Sequence, residues 1–189
     1  ANELPVATLA EDILAPGKGQ IKAMIVNAGN PILSTPNGTQ LKTAFESLDF
    51  LVSIDIYINE TSSLADIILP PATGLEADHY DIVFHSLAVR NTAKYSQALF
   101  EPEKGAKHDW QIFKGLKKAY LKKKGNYSIK KRLYGLIDDF ITPERMLSQA
   151  LKKGNWSDSI NLSKLKKNPH GIDLGSLTSH LPDGLYTKD

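Results

Sequence analysis

The stretch Ser47–Pro71, SLDFLVSIDIYINETSSLADIILPP, constrains the fold more than any other. Leu51-Val52-Ser53-Ile54 is a short apolar run with β-branched residues, which reads as a buried strand of a parallel sheet. It stops at Asp55, and Asn59-Glu60-Thr61-Ser62-Ser63 is polar enough for a loop or one helical turn. Ala65-Asp66-Ile67-Ile68-Leu69 is a second apolar run, ended by Pro70-Pro71, neither of which can donate to a sheet ladder. Two buried strands joined in this way place Asp55 at the carboxyl edge of the sheet, where open α/β sheets bind ligands.

Upstream, Ile21–Val26 reads as a first strand, ending in Asn27-Ala28-Gly29-Asn30-Pro31. Gly29 permits an unusual backbone angle or a close ligand approach, and Pro31 blocks further pairing. Asn37 suits a helix N-cap, with Gln40 as its capping-box partner. Leu41, Ala44, Phe45 and Leu48 then share one helix face. Ile21–Ile54 is thus a βαβ unit with a right-handed crossover, and its loops Asn27–Pro31 and Asp55–Thr61 share one sheet edge. The expected fold is α/β: a small Rossmann-like parallel sheet flanked by helices, with a C-terminal helical appendage.

The chain divides on this reading into a lead-in segment (1–20), an α/β portion (21–105) and a helical appendage with a connecting tail (106–189). The lead-in carries one helical turn around Leu9–Leu14. Gly74–Asp81 reads as a polar loop, and Ile82–Val89 fits strand or helix. Asp109 caps a helix with Trp110, Phe113, Leu116 and Tyr120 on its core side. Leu133, Leu136, Ile137 and Phe140 form a second apolar stripe. Thr142-Pro143 starts a third helix, with Leu147, Ala150 and Leu151 inward and Gly154 as its stop. The tail has turns at Pro169-His170-Gly171 and Pro182-Asp183-Gly184.

Composition narrows the chemistry. The net charge of +2 gives no global field for nucleic acid. The lysines from Lys114 to Lys131 read as the solvated face of amphipathic helices, with Trp110 and Phe113 on the opposite side. There is no cysteine, hence no disulfide and no thiolate metal ligand in this chain. No apolar run approaches the roughly 18 residues that span a bilayer. The five histidines form no metal-binding spacing such as H-E-x-x-H. Glu76, Asp78, His79 and Asp81 share a loop, and their bland reading is solvated carboxylates. The dinucleotide fingerprint G-x-G-x-x-G is absent, so ordinary NAD binding is not expected. The Asn27–Pro31 loop is either a tight turn or a backbone cradle for a phosphate or pterin. Asp55 is either an exposed cap or an acceptor for a ribose hydroxyl or guanine N–H groups.

The segments AGNPILSTPNGTQL, LDFLVSIDIYINETSSLADIILPP and LAVRNTAKYS resemble the third domain of the large subunit of molybdopterin oxidoreductases. That family includes formate dehydrogenases, periplasmic nitrate reductases and dimethyl sulfoxide reductases. The tail PHGIDLGSL resembles the lead into a C-terminal pterin-binding domain of the formate-dehydrogenase-like branch. The resemblance implies a domain that grips one molybdopterin guanine dinucleotide of a molybdenum or tungsten centre. Gly29 and Asn30 would approach the pyrophosphate or ribose, Asp55 would read the guanine or ribose, and Tyr57, Thr61 and Asp66 would complete the loop. An iron–sulfur cluster would lie elsewhere in the parent. The chain, which starts at Ala1, reads as an excised piece, with a processed N-terminus as the bland alternative, and as cytoplasmic and inactive alone. Its partners would be the other domains of the same polypeptide and the parent's small-molecule substrate. The family's metal ligand lies on an earlier domain, and GLEADHYD replaces a glycine-rich E-x-x-G stretch. Two alternatives stand: a non-enzymatic subunit-docking module on the same scaffold, and a nucleotide-binding regulatory domain.

Overall fold

The computed structural model describes residues 3–82, 84, 88, 90–124, 140–154 and 156–176. The chain is α/β, and its contacts divide it into two compact units that interleave along the sequence. The first contains Ala1–Thr73 and Pro102–Ala119, the second Gly74–Glu101 and Tyr120–Asp189. The sequence expectation put one boundary near residue 105; the contacts instead give 74–101 to the second unit and 102–119 to the first.

The first unit is built on a three-stranded parallel sheet, β1 (Ala23–Asn27), β2 (Phe50–Ile54) and β3 (Ile67–Ile68), in the order β1-β2-β3. In register, Val26 stands beside Ser53 and Asn27 beside Ile54. The crossover from β1 to β2 carries α2 (Pro31–Ser34) and α3 (Gly38–Glu46); α1 (Leu9–Leu14) precedes the sheet. Asn37 caps α3 by accepting from the Gln40 N–H at 3.4 Å. The expected capping box is altered: Asn37 Nδ2 donates to Gln40 Oε1 at 2.6 Å, so the two side chains pair with each other. Leu41, Ala44 and Phe45 are buried and Leu48 packs on them, as the helical spacing predicts. Their core partners are Ala10 and Ile13 of α1 with Val26 and Leu51 of the sheet. Burial of a Leu or Phe side chain contributes about 1.5–3 kcal/mol, so this one face anchors the helix.

Helix α4 (Asp109–Lys123) corrects the sequence reading of its faces. Ile112 is its buried residue, whereas Phe113 is 41% and Tyr120 62% exposed. Trp110 is not set apart from the lysines either, because Lys114 Nζ lies 5.0 Å from its ring centroid. Residues four apart share a helix side, and the indole face attracts the ammonium.

The second unit has two small antiparallel pairs. β4 (His79–Tyr80) pairs with β6 (Tyr95–Ser96), and β5 (Thr92–Ala93) with β7 (Ile172–Asp173). The reading of Gly74–Asp81 as loop alone is therefore corrected at its end. α5 (Pro143–Lys153) starts as expected, with Thr142 Oγ1 accepting from the Arg145 N–H at 3.3 Å and Pro143 in the first turn. Leu151 is buried and Leu147 half-buried, but Ala150 is exposed. Gly154 ends the helix in an extended conformation. α6 (Leu162–Lys166) is capped by Asn161 and buries Leu165. The stripe at Leu133, Leu136 and Ile137, the turn at Pro182 and most of Ile82–Val89 lie outside the described residues. Among the described residues no helix is long and apolar enough to cross a membrane.

Buried Tyr95 closes the second unit's core with Ala93, Leu151, Ile160 and Leu165. Its hydroxyl donates to Asp78 Oδ2 at 2.6 Å. Burial, then the Asp78 carboxylate, then the charge of Glu144 keep this phenol protonated well above the ordinary range. The unfolded chain ionises first, near the ordinary value of about 10. Tyr95 thus contributes stability that is full below that pH and falls as pH rises toward the folded value. Denaturant melts across alkaline pH are expected to fall more steeply for the wild type than for Tyr95→Phe.

Candidate functional site

Parallel pairing brings the ends of β1 and β2 to one edge. Ala28 N–H donates to the Ile54 carbonyl at 2.8 Å, extending the ladder one step beyond β1, against the last residue of β2. The chain then turns away at Ala28, whose φ of 50° is left-handed. The unusual backbone angle expected of Gly29 therefore falls one residue earlier. A Cβ built on Gly29 would meet nothing nearer than 3.8 Å, so the fold itself does not require glycine there.

Asn30 is the N-cap residue of α2, yet its side chain makes no cap bond. It reaches across to the loop after β2. Thr61 Oγ1 donates to Asn30 Oδ1 at 2.8 Å, and Asn30 Nδ2 donates to Glu60 Oε2 at 2.5 Å. Thr61, fully buried, also accepts from the Ile32 N–H at 3.2 Å. The hydrogen bond from Asn30, then one from Glu60's own backbone, hold the exposed Glu60 carboxyl below its usual range. Among the described residues, the N–H groups of Gly29 and Asn30 have no acceptor within the chain.

The loop after β2 is held by its own side chains. Asp55 Oδ1 accepts from the Tyr57 N–H and Oδ2 from Asn59 Nδ2, both at 3.0 Å. Asn59 Oδ1 accepts from the N–H groups of Thr61 and Ser62 at 3.0 and 2.9 Å. Ser62 Oγ accepts from Asn59 N–H and donates to the Tyr57 carbonyl. These bonds fix the backbone and leave the Tyr57 side chain 72% exposed. Each Asp55 oxygen accepts one of these bonds and keeps capacity for another.

Gly29, Asn30, Asp55, Tyr57 and Thr61 therefore meet at the carboxyl edge. Asp66 does not. Its Oδ2 accepts from the Leu51 N–H at 2.7 Å and its N–H donates to the Leu51 carbonyl at 2.9 Å, which puts it at the opposite, amino edge. The residue before a parallel strand has to lie there, so grouping Asp66 with the Asp55 loop is corrected. Sequence reasoning missed Asn59, Ser62 and Glu60. An Asn two and three residues before the N–H groups it accepts is a local turn signal, but nothing local points Glu60 at Asn30.

The second unit holds a cavity of about 610 Å³, lined chiefly by Tyr80, Ile82, Leu147, Leu151, Trp156 and Ile160. Its lining is mainly apolar, unlike the polar edge of the sheet. Among the described residues no group of three or more His, Asp or Glu side chains could hold a metal ion.

The molybdopterin oxidoreductase family model matches residues 2–119, more than half the chain and the whole of this edge. The chain belongs to the molybdopterin oxidoreductase family. Relatives include the probable oxidoreductase YyaE of Bacillus subtilis, 33% identical over 59% of this chain and 16% of its own length. The assimilatory nitrate reductase catalytic subunit of the same organism is 37% identical over 53% of this chain and 14% of its own length. The F420-dependent formate dehydrogenase subunit alpha of Methanocaldococcus jannaschii is 37% identical over 58% of this chain and 15% of its own length. The chain thus spans 14–16% of the length of these relatives. The family implies a molybdenum or tungsten pterin cofactor.

Proposed function

We propose that this chain is one cofactor-holding part of a longer, formate-dehydrogenase-like molybdopterin oxidoreductase, and that its carboxyl edge holds a guanine dinucleotide arm of the pterin. The observation that carries the reading is the pairing of the loops after β1 and β2, joined through Asn30. The donor set suits a nucleotide diphosphate. Two N–H groups at Gly29 and Asn30 face no acceptor within the described chain, and backbone N–H groups in succession favour anions. Asp55 retains acceptor capacity for guanine N–H groups, and exposed Tyr57 offers a ring face.

When bound, the metal centre supplies the electron- or atom-transfer chemistry. This chain's residues hold and orient the nucleotide arm. Alone the chain is expected to be inactive. The metal ligand, an iron–sulfur cluster, the substrate pocket and the partner domains belong to the remainder of the polypeptide on this reading, and the compartment is cytoplasmic.

Titration of the 189-residue chain with guanosine diphosphate, followed by calorimetry, tests the proposal. Saturable binding is expected, weakened about tenfold or more by Asp55→Ala, as loss of a charge-assisted pair implies. Flat heats for the wild type, or equal affinity for adenosine diphosphate, would overturn it.

A further inference from the structure

We infer that Glu60 is a positioning residue, which fixes the Asn30 amide and through it the loop that receives the nucleotide; the nucleotide part rests on the reading above. The direction of each hydrogen bond is forced. The ionised Glu60 carboxylate is an acceptor only, so the end of the Asn30 amide that faces it is Nδ2, the donor. Oδ1 then faces Thr61, and the hydroxyl gives it its one proton at 2.8 Å. Ile32 N–H can only donate, so Thr61 Oγ1 accepts there with a lone pair. A flipped Asn30 amide would set its oxygen against the carboxylate.

Two consequences follow. The Asn30 side chain is occupied at both ends within the chain, so it ties two loops 30 residues apart in sequence. Contact with an anion then falls to the backbone N–H groups of Gly29 and Asn30. Because Glu60 is exposed, its loss should loosen the loop without emptying a core.

The pair can be tested by reversing its polarity. Asn30→Asp sets carboxylate against carboxylate. Adding Glu60→Gln supplies a side-chain amide that can donate to the new acid. In the 189-residue chain, Glu60→Ala is expected to weaken guanosine diphosphate binding about tenfold with little change in melting midpoint, and Asn30→Asp more strongly. The double variant should recover most of the affinity lost by Asn30→Asp. A double variant no better than Asn30→Asp alone would overturn the inference.

A ligand-free readout separates this from the function proposed above. The Asn30 side-chain amide resonances should move in Glu60→Ala and stay near their wild-type position in Glu60→Gln, which keeps an acceptor. If they are unmoved in Glu60→Ala, the inference fails whatever the nucleotide does. If they move and the wild type binds no nucleotide, the tie stands and the cofactor reading fails.

Discussion

Gly38→Ala is expected to destabilise the first unit by at least about 1–3 kcal/mol, the usual cost of overpacking. A Cβ built on Gly38 falls 2.1 Å from the Ile32 carbonyl oxygen and 3.3 Å from its carbon. The obstacle is backbone, so no rotamer change relieves it. Either α2 moves away from α3, or α3 starts later and loses the Asn37 cap. Asn37 already stands at φ 56°, a left-handed conformation that asparagine tolerates better than most residues. Displacing α2 would also pull the Ile32 N–H from Thr61 and shift the loop at Gly29 and Asn30. Urea melts should show the loss of stability, and the Asn30 side-chain amide resonances should move with it. A melting curve within about 0.5 kcal/mol of wild type, ordinary for an uninvolved surface site, would mean that α2 and α3 slide apart freely.

Gly38 also marks where sequence reasoning ends. The local pattern gave α3 its cap and its face, because Leu41, Ala44 and Phe45 recur at the helical period and Asn37 has a side chain suited to a cap. It gave β2 because Leu51 to Ile54 is a short apolar run with β-branched residues, and all four are buried in the fold. The shared edge of the two loops followed from chain geometry, since a βαβ crossover sends both strands the same way. A clash between Gly38 and Ile32 depends on the angle between two helices, which no local pattern encodes. The same holds for Glu60, whose partner lies across the loop pair. In the second unit each strand is two residues long, too short for a period-two pattern to register. The pairing of Thr92 with Asp173 spans most of that unit, and the helical period of α4 does not tell that Ile112 is buried while Phe113 stays exposed.

Thr61→Val should cost about 1–3 kcal/mol, because the half-buried Ile32 N–H and Asn30 Oδ1 both lose their partner. Thr61 is fully buried, and valine matches its shape, so no cavity accounts for the loss. What disappears is one hydroxyl with two roles: the acceptor for Ile32 N–H and the donor to Asn30 Oδ1. Thr61→Ser is the control that separates chemistry from packing. It keeps the hydroxyl and loses a methyl, for about 0.8 kcal/mol of burial. The Ser variant should therefore keep the Asn30 side-chain resonances near their wild-type position while melting earlier. The Val variant should lose both, and amide exchange at Ile32 should accelerate. Nucleotide affinity should follow the hydroxyl rather than the melting midpoint, because the hydroxyl sets the Asn30 amide and so the backbone beside it. A valine variant as stable as wild type, with Ile32 still protected, would show that the two loops are held together by packing alone.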